Sequence, residues 1–358
     1  MMYTEEEINV ITLSGISELS YKTSKILLDD FKATSPDFEK HGNYLIKTLS
    51  GGVYNKVKAK FYDPSFRAEM FGGLDVRGIE CVTYFSKLYP DCLKNIPDPP
   101  LLLYCKGDTR LLGSECFSIV GARKSTPKMR DDCKNFSARL SEKFTIVSGL
   151  AEGADAAALE GALDAGGRVI SVLANGFDRI YPPSNVNLYG RVAEHGLAVT
   201  EYRPEVPARD YHFRVRNRII AGLSRGTLVA SAAERSGALI TANLAADYGR
   251  DVFAFPHSVG TGLGAGCNKL IKNGANLADN ILDIFRFYGL DLLECEKVAL
   301  TADEDAVYER LRLTGEAHLT ELAQAVDKQP RELVLILSAL EIKGLVKNAG
   351  GNRYCAAR

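Results

Sequence analysis

The sequence lacks the features of a membrane or secreted protein. Among its 358 residues no apolar stretch approaches the length of a membrane span, and the acidic start MMYTEEEINV is not a secretory signal. The eight cysteines are scattered without a CxxC pair, and the five histidines complete no metal-ligand pattern. We therefore expect a cytoplasmic protein with reduced structural thiols and with no membrane contact, metal site or cofactor.

Motifs for nucleotide chemistry and nucleophilic catalysis are also missing. No GxxxxGK[ST] loop is present, which leaves NTP hydrolysis unsupported, and no GxSxG elbow occurs. The glycine run GTGLGAG does not satisfy GxGxxG and follows the last predicted strand, which argues against NAD. The carboxylates near loop ends have no suitably spaced partner base, so capping or ion pairing explains them; they are Asp155, Asp178, Glu201 and Glu234. We predict that the protein is not an enzyme.

Overall charge gives no indication of a partner, because the formal net charge is only −1. A hydrophobic content of 46% and 32 glycines suit a globular protein with many turns, and the length favours more than one domain. The proline-rich segment IPDPPLL marks a boundary near residue 96. Residues 1–95 are expected to be a small helical region with a helix-turn-helix pair around Gly15, compatible with a SAM or helix-hairpin-helix fold.

Residues 96–290 alternate between two hydrophobic periods. Short apolar runs predict strands at 116–121, 144–149, 168–174, 197–201, 227–232 and 251–256. Helical patterns separate them at 127–142, 153–165, 186–195, 215–224, 237–248 and 267–273. This alternation predicts an α/β fold, with a Rossmann-like, mainly parallel sheet covered by helices on both faces.

Glycine occurs with serine or threonine in three of the loops that follow predicted strands: GARKST (121–126), SGLAEGADA (148–156) and ERSGALIT (234–241). Glycine lets the backbone approach a ligand closely, and amides at a helix start face an anion. Ligands of such sheets bind at the carboxyl ends of the strands. The three loops therefore predict a site for a phosphate-bearing ligand.

A basic segment, YHFRVRNRIIAGLSR, supplies further positive charge. Its apolar spacing predicts a helix beginning near Arg216, which would place Arg216 and Arg218 in the first turn, where the helix dipole disfavours cations by about 0.3–1 kcal/mol. Two explanations remain: ion pairs to acids such as Glu201 or Asp210, or an anionic ligand. Residues 203–225 contain six arginines against two acids, so a phosphate backbone fits this segment better than one small phosphate.

Several motifs occur together in one order: VGARKST, IVSGLAEGADAAALEGAL, VLANGFDRIYPPSNVNLY, HFRVRNRIIAGLS, SGALITANLAADYGRDVFAFP and GCNKLIKNGANL. Over roughly residues 96–285 the sequence thereby resembles the core of the DNA-processing protein A family (DprA, also called Smf). The resemblance implies an extended Rossmann-like fold that binds single-stranded DNA and forms a homodimer. It also implies a partner, the recombinase RecA, which the protein loads onto incoming DNA during natural transformation.

The resemblance also implies a binding site, carried over motif by motif. The predicted DNA- and phosphate-binding residues are Gly121, Arg123, Lys124 and Ser125; Ser148, Gly149 and Gly153; Phe213, Arg214, Arg216, Asn217 and Arg218; and Ser236, Gly237 and Thr241. The sequence departs from the family pattern at Leu159, where members usually have histidine, and at Arg214, which stands in place of a proline.

Residues 300–358 contain three amphipathic helical patterns followed by a Gly-Gly hairpin, which predicts a winged-helix domain. Its third helix carries Arg331 and Lys343 against Glu332 and Glu341, so duplex binding and protein contact both remain open.

Three functions remain open for the whole chain. The preferred one is a non-catalytic single-stranded DNA-binding protein that protects incoming DNA and loads RecA. The alternatives are a Rossmann-like N-glycosidase that cleaves nucleoside monophosphates, and a sensor of a nucleotide signal. The N-glycosidase would need a PGGxGT loop with a positioned glutamate, which SGALIT does not provide.

Overall fold

The computed structural model describes residues 3–290 and 300–356. The chain divides into two compact units, residues 1–284 and 285–358. In the described part of the chain, we find no helix with the length and apolarity that a bilayer crossing requires.

The first unit begins with a group of helices. Their bounds are α1 (Glu5–Gly15), α2 (Tyr21–Leu27), α3 (Gly42–Leu49), α4 (Gly51–Tyr62) and α5 (Pro64–Val76). Helix α1 starts at a capping box in which the Thr4 hydroxyl and the Glu7 carboxylate each accept a backbone N–H. The Ser20 hydroxyl caps α2 by accepting the backbone N–H of Thr23. The predicted helix, turn and helix around Gly15 are present, and this region belongs to the same compact unit as the sheet.

A mixed sheet forms the centre of this unit. Its strands are β1 (Glu80–Thr83), β2 (Leu102–Gly107), β3 (Cys116–Val120), β4 (Thr145–Ser148), β5 (Val169–Val172), β6 (Leu197–Thr200), β7 (Gly226–Val229), β8 (Asp251–Ala254) and β9 (Asn276–Leu277). Across the described residues their order is β1-β2-β6-β5-β4-β3-β7-β8-β9. The strands from β6 to β9 in this order run parallel, while β1 and β2 add an antiparallel edge.

Helices connect the strands, at α6 (Asp91–Lys94), α7 (Pro127–Leu140), α8 (Ala154–Asp164), α9 (Val186–His195), α10 (Asp210–Leu223), α11 (Gly237–Asp247) and α12 (Ala265–Lys272), and α13 (Ile281–Phe287) follows the last strand. Every residue of strands β3 to β7 is buried, because helices cover both faces of the sheet. Helix α8 approaches α7 closely, since a Cβ on Gly161 would overlap the backbone of Lys134. The six predicted strands and the α/β class are confirmed; β1, β2 and β9 were not predicted.

Helix α10 differs from the prediction in a way that matters for the site. It begins at Asp210 instead of near Arg216, with Arg209 at the N-cap. Arg216 and Arg218 therefore lie beyond the first turn, where the helix dipole has little effect on a charge. The expected dipole penalty on these two arginines was wrong. The first two turns contain aromatic and charged residues, so the apolar period that marks the helix in the sequence begins only later.

The second unit contains α14 (Ala302–Thr314), β10 (Glu316–His318), α15 (Leu319–Ala325), α16 (Pro330–Ile342), β11 (Val346–Gly350) and β12 (Arg353–Ala356). Its sheet has the order β10-β12-β11. The three helices enclose an apolar core that includes Leu311, Leu333, Leu337 and Leu340. Three helices and a terminal hairpin form the winged-helix arrangement predicted for this segment.

Candidate functional site

The loops that follow β3, β4 and β7 meet at the carboxyl edge of the parallel strands, around a cavity of about 220 Å³. Helix α10 supplies one wall of this cavity. The lining residues are Val120, Gly121, Ala122, Arg123, Ala151, Asp155, Phe213, Arg216, Asn217, Ile220, Ser236, Gly237, Ala238 and Thr241. The fold thus brings together the glycine-containing loops and the basic helix that the sequence analysis singled out.

Close backbone contacts fix the first two loops against each other. A Cβ on Gly121 would lie 2.6 Å from the Cβ of Ala154, and one on Gly153 would overlap the carbonyl oxygen of Ala122. Gly153 also has a φ of +81°, a conformation that favours glycine. Leu150 is buried with a φ of +59°, and the side-chain amide of Asn185 donates to its carbonyl at 2.9 Å. The glycines in these loops therefore have a geometric role at the cavity.

Arg216 forms a buried cationic wall of the cavity. The residue is 4% exposed, and its Nη1 donates to the carbonyl oxygen of Val172 at 2.5 Å. Its Nε is buried and has no hydrogen-bond partner among the described residues. The guanidinium occupies the space that a Cβ on Gly149 would fill. Burial lowers the pKa of Arg216 to about 10, while the charge of Asp155 opposes this shift, so the side chain is a cation at neutral pH.

Asp155 is the buried acid beside this arginine. Its carboxylate accepts a hydrogen bond from the amide of Gly149 at 3.2 Å, and the amides of Ala151 and Gly121 also stabilise the charged form. Burial raises the pKa of Asp155 in spite of Arg216 and these amides. Sequence reasoning assigned Asp155 to capping or ion pairing and missed that it joins two loops. Its place two residues after Gly153, at the start of a helix, was the available signal.

The mouth of the cavity is aromatic and basic. The guanidinium carbon of Arg123 lies 4.6 Å from the ring centroid of Phe213, a cation–π contact. The Phe213 ring is also 5.6 Å from the ring of Tyr181, which is 42% exposed. A groove of about 450 Å³ adjoins the cavity, and its lining includes Arg123, Arg214 and Arg235. Sequence reasoning missed Arg235, although it lies within the third loop.

Comparison with known proteins identifies the family to which this site belongs. The family model described as DNA recombination-mediator protein A matches residues 80–289, more than half of the chain. The chain belongs to this family. DNA processing protein DprA of Bacillus subtilis is 41% identical over 211 residues, which are 58% of this chain and 71% of that protein.

Solved structures of the same family share the fold. The X-ray structure of DprA from Streptococcus pneumoniae superposes with a TM-score of 0.61 at 31% identity, over 82% of this chain and 100% of that one. DNA processing protein A from Helicobacter pylori gives a TM-score of 0.54 at 30% identity, over 58% of this chain and 95% of that one. The Helicobacter pylori structure is described as showing a unique single-stranded DNA binding mode.

Some of the residues predicted from the family motifs do not reach the cavity with a free polar group. Ser148 is buried and its hydroxyl donates to the carbonyl of Ile119 at 2.7 Å. The Ser236 hydroxyl accepts the amide of Ala238 at 3.2 Å and so caps α11. The Ser125 hydroxyl is buried without a hydrogen-bond partner among the described residues, and Lys124 is exposed.

Helix residues after Arg216 also differ in what they contact. The Asn217 side-chain amide donates to the carbonyl of Gly237 at 3.2 Å, and Thr241 is buried in the cavity wall. Arg218 instead contacts Glu201 through Nη2, with Asp98 at 3.4 Å from its Nε. The ion-pair explanation is therefore correct for Arg218 and Glu201. Within the described residues no cluster of three His, Cys, Asp or Glu side chains could hold a metal ion.

Proposed function

We propose that this protein binds single-stranded DNA at the cavity and the adjoining groove as a DNA-processing protein, without catalysing a reaction. The buried guanidinium of Arg216 is the observation that carries this proposal. It forms no ion pair with any described carboxylate, its Nε has no hydrogen-bond partner among the described residues, and Asp155, whose charge acts on it, already accepts backbone hydrogen bonds. A buried cation in this state favours an anionic ligand, and a DNA phosphate supplies both the charge and the acceptor oxygens.

The surroundings of the cavity favour a strand over a single nucleotide. Arg123, Arg214 and Arg235 continue the positive charge along the groove, where successive phosphates would lie. Phe213 offers a ring at the junction of cavity and groove, and bases stack on such rings with little sequence preference. We therefore assign phosphate contacts to the arginines and base stacking to Phe213.

The same geometry gives little support to the N-glycosidase and sensor alternatives. Asp155 faces the cavity, but backbone amides and Arg216 occupy its carboxylate, which leaves it poorly placed as a general base. A nucleotide-signal sensor would use the cavity of about 220 Å³ alone and would not need the arginine-lined groove. Affinity that increases with oligonucleotide length separates the DNA-binding proposal from both alternatives.

Family membership supports a wider role. We propose that the protein acts as a cytoplasmic homodimer, protects incoming DNA and loads RecA onto it during natural transformation. The description of the Helicobacter pylori relative as a single-stranded DNA binder supports the DNA-binding part of this proposal. The family resemblance supports RecA loading and dimerisation.

Arg123→Ala tests the site, with Arg168→Ala as the matched control. Both arginines are exposed, but Arg168 immediately precedes β5, at the opposite edge of the sheet. Binding of single-stranded DNA, duplex DNA and mononucleotides is measured by fluorescence anisotropy over a range of salt concentrations. We expect Arg123→Ala to weaken single-strand binding and to flatten the slope of log affinity against log salt by about 0.7, the loss of one phosphate contact.

The control should bind as the wild type does. Equal binding by Arg123→Ala and the wild type would contradict the assignment of the site. A wild-type affinity for mononucleotides equal to that for long single strands would favour the sensor.

A further inference from the structure

A second cavity, of about 500 Å³, lies on the other face of helix α10. Its walls come from α2 and the residues before it, from β2, from the segment after β6, and from Tyr211, His212 and Val215 of α10. The volume is within the range of small-ligand sites. None of its lining residues lines the first cavity or the groove.

Aromatic rings form one wall of this second cavity. Tyr202 and His212 are stacked, with ring centroids 4.0 Å apart and an angle of 24° between their planes. Tyr211 meets the edge of His212 at 4.4 Å and is 56% exposed. Burial lowers the pKa of His212, so this ring is neutral at pH 7. An exposed ring backed by other rings is a surface on which a nucleobase can stack.

The second cavity has an acidic residue in its wall and basic residues at its mouth. Glu201, whose side chain is 9% exposed, lies in the wall, and its Oε1 is buried without a hydrogen-bond partner in the described part of the chain. Lys22 and Arg209 are exposed lining residues and form no ion pair with any described residue. The charge of Glu201 is paired with Arg218, so the interior offers a free acceptor oxygen and no net positive charge, while the cations at the mouth can hold a phosphate there. A base with N–H donors suits the interior.

We propose that this second cavity binds a nucleotide of the same DNA strand, with the base against Tyr211 and the phosphate near Lys22 and Arg209. The inference rests on the proposed single-stranded DNA binding and extends its path across the N-terminal half of α10. A helix with its side chains is about 10 Å across, so a dinucleotide cannot occupy both cavities, whereas a longer strand can.

Tyr211→Ala is the test, with Tyr62→Ala as the matched control because Tyr62 is 59% exposed and also meets a neighbouring ring edge-on. Affinity is measured for a dinucleotide and for a single strand of about 16 nucleotides, a length within the range of single-strand sites. We expect Tyr211→Ala to weaken binding of the longer strand about tenfold, the loss of one stacked base, and to leave dinucleotide binding unchanged. Tyr211→Phe, which keeps the ring, should restore the affinity, and thermal unfolding of each variant checks that it is folded.

A second comparison examines the phosphate position. Lys22→Ala should flatten the salt slope for the longer strand by about 0.7, while Lys47→Ala, which also removes an exposed lysine, should not change it. The second site is disproved if Tyr211→Ala binds the longer strand as the wild type does while Arg123→Ala is impaired. Loss of mononucleotide binding alone in Tyr211→Ala would also overturn it, since the cavity would then take a free nucleotide. A wild type that binds no single strand would refute the proposed function itself.

Discussion

The two faces of helix α10 carry buried arginines with opposite surroundings. On one face, Arg218 contacts the carboxylates of Glu201 and Asp98, so the chain itself supplies its counter-charge, although its Nε and Nη1 form no hydrogen bond with any described residue. On the other face, Arg216 has a carbonyl oxygen and an acid that backbone amides already engage. Burial and charge are similar in the two cases. A binding arginine is thus distinguished from a structural one by how completely the chain neutralises it.

The largest expected effect is on stability, at Arg218. Arg218→Ala would leave Glu201 buried without its cation, which should lower the free energy of unfolding by about 3–5 kcal/mol. Urea unfolding of the variant and the wild type measures this difference. Single-strand affinity of the protein that remains folded should fall less than in Tyr211→Ala, because Arg218 itself lines neither cavity nor the groove. A stable variant that has lost DNA binding would make Arg218 a DNA-binding residue and contradict its structural assignment.

Arg216→Ala should affect both single-strand binding and stability. Removal of the cation should strongly weaken single-strand binding, and loss of its buried hydrogen bond to Val172 should lower the free energy of unfolding by about 1–3 kcal/mol. Salt titrations and urea unfolding of the same preparation separate the two effects. A destabilised variant with wild-type affinity and salt slope would show that Arg216 is a structural residue like Arg218.

Asp155 permits a test by pH. Burial raises its folded-state pKa above the ordinary 3.8. In the pH range between these two pKa values, the folded protein binds a proton at this carboxylate more tightly than the unfolded chain does. Stability from this group therefore decreases as pH rises from about 4 through the folded-state pKa. We expect the free energy of unfolding of the wild type, relative to Asp155→Asn, to fall over this interval and then to level off. A difference that is constant with pH would contradict the raised pKa.

Removal of residues 300–358 should have the smallest effect on single-strand binding, because it leaves both faces of α10 intact. We expect the affinity of residues 1–299 to remain within a few-fold of the wild type. A loss as large as that of Arg216→Ala would make the winged-helix unit a main DNA site.

Sequence reasoning was most successful where local pattern determines structure. The inner strands were predicted because each is a short apolar run and helical patterns separate one run from the next. Strand β9 was missed because it has only two residues, and β1 and β2 were missed because they lie on either side of the proline-rich segment that was interpreted as a boundary. In the site, the motifs predicted Arg123 and Phe213, and the structure places both at the cavity mouth. The separation of Arg216 from Arg218 depends on tertiary partners remote in sequence, Val172 and Glu201, which no local pattern reveals.

Gly149 places a constraint on any attempt to re-engineer the cavity. Its missing side chain leaves a volume that the Arg216 guanidinium fills, so the two positions cannot be varied independently. Alanine at 149 would displace the guanidinium from Val172 and force either the loop or the arginine to move. A library that randomises the cavity should keep Gly149 fixed, or pair each larger residue there with a shorter one at 216.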